Sequence, residues 1–80
     1  MMNKKQLSSL VGGEEGKIVK IRGGVSLHRN LLEMGFFIGR RISVDVFDLT
    51  PTDNFIKVRV NGSHYSLEKD IAANIQVEVA

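Results

Sequence analysis

Apolar positions along this chain recur at two different spacings, and the spacing lays out the elements. Ile56, Val58 and Val60 alternate with Lys57 and Arg59, the period of two expected of a half-buried strand. Asn61-Gly62 follows, a pair that accepts the positive φ angles of a two-residue type I′ turn, whose twist matches that of the strands it joins. Such a turn sets Val60 opposite Ser63, Val58 opposite Tyr65 and Ile56 opposite Leu67. Tyr65 and Leu67 then join the apolar face, while His64 lies outside beside Arg59. Upstream, Ile42, Val44 and Val46 alternate in "RISVDVFD", and "DLTPTDN" predicts a wide connection, because Pro51 cannot donate to a ladder. Ile18 and Ile21 in "GKIVKIRGG" mark a strand between glycines, and their spacing of three predicts a β-bulge. Ile75, Val77 and Val79 alternate in a last strand, and "EKDIAAN" before it suffices for one helical turn.

The period changes in only one segment, "SLHRNLLEM". Leu27, Leu31 and Met34 stand at i, i+4 and i+7, one face of a helix. Ser26 is the expected N-cap, its hydroxyl able to accept from an unpaired amide of the first turn. Gly35 suits the left-handed position that ends a helix, and Gly39 lets the next strand begin. Leu32 lies about 100° round the helix from Leu31 and so flanks the buried face. Phe36 and Phe37 are adjacent and point in different directions, so one can enter the core while the other serves as a surface anchor, where aromatic residues contribute disproportionately to binding. Leu32, Phe36, Phe37 and Arg40 are the candidate partner-contacting residues, and Gly35, Gly39, Asn61 and Gly62 the structural turns. The sum is a mainly β chain of about five short strands, one short helix and single helical turns. Strands this short favour a partly open β-barrel, because closing the sheet hides edges that would otherwise pair with other chains.

Composition narrows the function more than the fold. Eighty residues allow one small domain, 1–80. Hydrophobic residues make up 42% and charged residues 25%, which argues against disorder. Cysteine is absent, which removes disulfides, thiolate metal sites and cysteine nucleophiles together. No apolar run approaches the ~20 residues of a membrane span, and "MMNKKQLSSL" is not followed by the apolar region of a secretory signal. A soluble cytoplasmic protein is expected. Residues 1–40 hold seven Lys/Arg against three Glu, and residues 41–80 four against six acids. The expected reading of this asymmetry is scattered, solvated charge.

Candidate chemistry is sparse. No nucleophile, base and oxyanion donor can be named together. His28 and His64 fall in different elements, without ligand spacing. An oxygen-rich site from Glu14-Glu15, Asp48 or Asp53 is the weaker metal reading, and acids in loops are usually only solvated. No phosphate-binding loop occurs, and Gly12, Gly13, Gly16, Gly23 and Gly24 are expected to turn the chain between short strands. The chain is therefore expected to be a binding module rather than an enzyme, with no cofactor and no resident metal.

With helix and hairpin placed, the chain resembles the FeoA family, the small cytoplasmic component of bacterial ferrous iron transport. The resemblance runs from Leu7 to Val79 through Leu10, Gly12-Gly13, "GKIVKIRGG", "RNLLEMGFFIGRRISV" and "FIKVRVNGSHYSLEKDIAANIQVEV". Its most specific part is Leu32, Met34 and Gly35, then Gly39 leading into Ile42 and Val44. The closing pattern is Val60-Asn61-Gly62, Leu67, Ala72 and Ile75-Gln76-Val77. Ile38 and Phe55 stand where the family often has proline. The resemblance implies an SH3-like barrel and an accessory role to FeoB, the membrane-embedded Fe(II) transporter with a cytoplasmic GTPase domain. It implies membrane contact only through that partner. Two other readings stand beside it. One is a nucleic-acid-binding barrel using Arg40, Arg41, Lys57, Arg59 and His64, although stacking platforms are few and no nucleic acid is expected. The other is an Fe(II)-sensing domain, like the C-terminal domain of DtxR-type repressors, using His28, His64 and acids. Edge strands and an exposed aromatic would permit self-association.

Overall fold

The computed structural model describes residues 3–45 and 54–79. Alternation dictates most of it. β2 (Glu15–Ile21), β3 (Arg41–Val44), β4 (Phe55–Val60), β5 (Ser63–Glu68) and β6 (Ile75–Val79) pair antiparallel, with β1 (Asn3–Gln6) added at one edge. The order is β1-β6-β2-β3-β4-β5. One face of this sheet supplies Ile18, Ile42, Val44, Ile56, Val58, Val60, Leu67, Ile75, Val77 and Val79 to the core. No ladder joins β1 to β5 among the described residues. The helical turn α2 (Lys69–Ala72), with Ala72 fully buried, packs against β5 and β4 and against the 3-10 turn Leu7–Ser9 that follows β1. The sheet is thus partly open, as expected, and α2 bridges it at one end.

The hairpin register is the one the Asn-Gly turn dictates. Val60 faces Ser63, Val58 faces Tyr65 and Ile56 faces Leu67, with Asn61 at φ +51° and Gly62 at φ +81°. The predicted bulge lies between Ile18 and Lys20, where β2 slips against β6. Val46, Asp48, Pro51 and Asp53 fall outside the described residues.

Three expectations are corrected. A sixth strand, β1, is present. Its residues "NKKQ" are all exposed, so no apolar period announces it, and it is held by pairing with β6 from Asn3↔Val79 to Gln6↔Gln76. Ser26 does not cap the helix. α1 (Val25–Glu33) starts two residues earlier than a Ser26 cap would set it, behind Gly24, whose φ −80° and ψ 175° are those of an N-cap without a side-chain bond. Gly16 is not a turn residue but lies inside β2, where a Cβ would sit 2.8 Å from the Glu78 carbonyl oxygen of the neighbouring strand. Close backbone approach, not conformation, calls for glycine there.

α1 contributes Leu31 to the core, with Leu27 and Met34 packed against it. A helix of nine residues is marginal alone in water, so this contact maintains it. Phe36, 1% exposed, completes the attachment by meeting Tyr65 edge-on, with ring centroids 5.4 Å apart and planes at 80°. Burying such a side chain stabilises by about 1.5–3 kcal/mol, and the edge-to-face pair adds about 0.5–1.5 kcal/mol.

Candidate docking surface at the helix end

The sequence "LLEMGFFIGRR" builds the surface step by step. Gly35, at φ +88°, ends α1 in a Schellman motif. Its amide donates to the Leu32 carbonyl at 2.9 Å, and the Phe36 amide donates to the Leu31 carbonyl at 2.8 Å. These bonds satisfy carbonyls the helix end would leave unpaired, and Phe36 meeting the core beside Leu31 is the hydrophobic contact that accompanies the motif. A second turn follows at once. Arg40 donates its amide to the Phe37 carbonyl at 3.0 Å, and Gly39 takes φ +95°, so Phe37–Arg40 is a type II turn with glycine at its third position. β2 pins this turn from below. Gly39 donates to the Ile18 carbonyl at 2.7 Å, and Ile18 donates to the Arg40 carbonyl at 2.9 Å.

The apex of this braced turn is apolar. Phe37 is 39% exposed and Ile38 59%. Leu32, 60% exposed, belongs to the outer side of α1, and Val25 stands seven residues before it, on the same side at helical spacing. The Arg40 side chain ties the knob together. Its Nε donates to the Gly35 carbonyl at 3.1 Å, and its guanidinium carbon lies 4.6 Å from the centroid of the Phe37 ring, a cation–π contact. Of the four candidates from sequence, Phe37 and Arg40 meet here at the surface, and Leu32 is exposed on the outer side of α1. Phe36 is not: it is buried, and its role is to anchor the helix end. Ile38 and Val25 were missed. The readable signal for Ile38 was its place just before the glycine of a tight turn, and for Val25 its spacing of seven from Leu32.

Beyond the knob the surface turns cationic. A groove between the Phe37–Arg40 turn and the hairpin tip is lined by Phe37, Gly39, Arg40, Arg41 and Asn61. A second groove shares Arg41 and Asn61 and continues to Arg59, Ser43 and Glu15. Sheet register explains the sequence of side chains, since Glu15, Ser43, Arg59 and His64 are successive cross-strand partners on β2, β3, β4 and β5. His64 Nδ1 lies 3.5 Å from Asp45 Oδ2. Among the described residues no acid lies within ion-pair distance of Arg40, Arg41 or Arg59.

Other chemistry stays dispersed. His28 is on α1 and His64 on β5, and no group of three His, Asp or Glu side chains that could hold a metal forms among the described residues. No polar side chain is buried among them either. Glu14 has a structural task in the type II turn Val11–Glu14. Its carboxylate accepts the Val11 amide at 2.9 Å, and its own amide donates to the Val11 carbonyl at 3.0 Å. That backbone bond, with Lys5 Nζ 3.5 Å away, holds its carboxyl below the usual glutamate range. No helix among the described residues is long and apolar enough to cross a membrane.

Comparison with known proteins fits this geometry. The family model described as FeoA domain matches residues 5–79. A curated relative, the Fe(2+) transport protein A/Fe(2+) transporter FeoB fusion protein of Porphyromonas gingivalis, is 32% identical over 74 residues, covering 92% of this chain. The chain spans only 8% of that relative's length. Among solved structures, an iron uptake regulatory protein (FeoA) superposes with a TM-score of 0.84 at 27% identity, covering 96% of this chain and all of that one. A manganese-dependent transcriptional repressor superposes at 0.86 with 18% identity, over all of this chain and 44% of the repressor, a likeness of fold alone. The chain belongs to the FeoA family and has its SH3-like fold.

Proposed function

We propose that this chain is a non-catalytic adaptor of ferrous iron uptake that works in the cytoplasm as one domain and binds the cytoplasmic part of a FeoB-type Fe(II) transporter. One observation carries the reading: in the Porphyromonas gingivalis relative, a FeoA sequence and a FeoB transporter share one chain. Fusion holds two modules at an effective concentration in the millimolar range, so it suits partners that meet repeatedly and weakly. A FeoA domain that meets its transporter without such a fusion must find it by affinity, which calls for a rigid surface with an aromatic anchor. The braced Phe37–Arg40 turn supplies one, with Arg40 fixing the ring of Phe37. Rigid anchors bind at lower entropic cost than mobile ones.

The test has two arms. Immobilised chain should retain the transporter's cytoplasmic domain in at least one of its nucleotide-free, GDP-bound or GTP-bound states. A strain lacking the chain should take up less Fe(II) than its parent, with uptake restored by the wild-type chain. Failure to bind in all three states, together with normal uptake in the deletion strain, would overturn the reading.

A further inference from the structure

We propose that the two grooves meeting at Arg41 and Asn61 receive an acidic segment led by an apolar residue, and that this segment belongs to the transporter's cytoplasmic part. The proposal rests on the adaptor reading and specifies the chemistry of its contact. Three features select this occupant. Phe37 and Ile38 on the turn, with Leu32 on the outer side of α1, offer apolar surface that the fold leaves uncovered. Next to it, Arg40, Arg41 and Arg59 line one continuous path past the hairpin tip, and none has an acid at ion-pair distance among the described residues. Among the described residues Glu15 is the only carboxylate on that path, and it sits at the far end, across Ser43 from Arg59 in the register.

A carboxylate entering beside Phe37 would therefore meet Arg41 and the free edge of the Arg40 guanidinium, whose Nε is committed to Gly35. A second carboxylate would reach Arg59, and Asn61 between them offers an amide. Arginine forks bind carboxylates in bidentate geometry, whereas the apolar residue on the knob would supply contact that salt does not screen. A segment with only one of the two features would leave either the apolar knob or the arginines without complement. Charge complementarity here sets partner choice and association rate, with burial of the apolar residue prolonging the complex.

Titration calorimetry of the chain with the transporter's cytoplasmic domain, at low and high salt, tests this. Ile38→Ser should weaken binding about tenfold at both salt concentrations. Arg41→Glu and Arg59→Glu should weaken it by about the same factor at low salt and flatten its salt dependence. Phe55→Ser, an exposed apolar position on the hairpin away from these grooves, should bind as wild type. Circular dichroism melts of all four variants should match wild type, since each side chain is exposed. Wild-type binding that none of the groove variants changes would overturn the proposal while leaving the adaptor reading intact. Absence of wild-type binding in every nucleotide state would remove both. Two other results would also overturn it: a wild-type dimer that Ile38→Ser converts to monomer, or tight binding to poly-uridine abolished by Arg41→Glu while the transporter domain still binds.

Discussion

Phe36 and Phe37 are chemically identical neighbours with opposite fates, and one backbone residue separates them into those fates. Gly35 at φ +88° reverses the chain out of α1, so Phe36 follows Leu31 into the core and Phe37 is left at the rim. That the two rings diverge was legible from adjacency; which of them is buried was not, because it depends on the Schellman geometry that places the residue after the glycine against the helix. Gly35→Val should cost more than about 1 kcal/mol, since a β-branched side chain resists positive φ. The added Cβ would meet only the Arg40 guanidinium, at 3.7 Å, so the cost is conformational rather than steric, and urea unfolding should show it. Glu14 gives a prediction in pH. Its carboxyl is held below its ordinary range by the Val11 amide and then by Lys5, so its contribution to folding is complete above the unfolded value. That contribution is lost as pH falls through the lower, folded value. Glu14→Gln should therefore lose less thermal stability than wild type between neutral and strongly acidic pH.

Elements whose apolar residues keep a clean period were readable, and those held by backbone alone were not. The hairpin followed from Val58, Val60 and the Asn61-Gly62 turn, register included. β1 was invisible, because an edge strand of "NKKQ" buries no side chain and pairs through main-chain bonds, with charge on its outer edge. The start of α1 lies two residues before the one that Ser26 predicts, for a related reason. Ser26 carries the chemistry of a cap, but Gly24 has the extended backbone that an N-cap needs, and no side chain there accepts a bond. Gly24→Asp should then stabilise the protein by about 0.3–1 kcal/mol, supplying both the missing acceptor and a negative charge at the helix N-terminus. The position has room, with nothing within 4 Å of an added Cβ. Chemical denaturation of the two proteins checks the sign.

At the scale of the whole molecule, a partly open sheet places its apolar residues inside and leaves two kinds of surface outside. One is a ladder of charged and polar side chains on the outer face of β2 to β5. The other is the helix end, where the chain turns twice within six residues and β2 braces the second turn from below. Membership of the FeoA family could be reached from sequence through the family resemblance, but the placing of Phe37, Arg41 and Arg59 along adjoining grooves could not. Those residues lie on separate segments, and Arg41 and Arg59 line one groove because β3 and β4 are neighbours. The most direct measurement is an NMR titration of the ¹⁵N-labelled chain with the cytoplasmic domain of the FeoB-type transporter. The amides of Leu32, Phe37–Arg41 and Arg59–Gly62 should shift together and saturate. Unchanged spectra in every nucleotide state, or shifts confined to α2 and the adjoining end of β5, would contradict the docking surface described above.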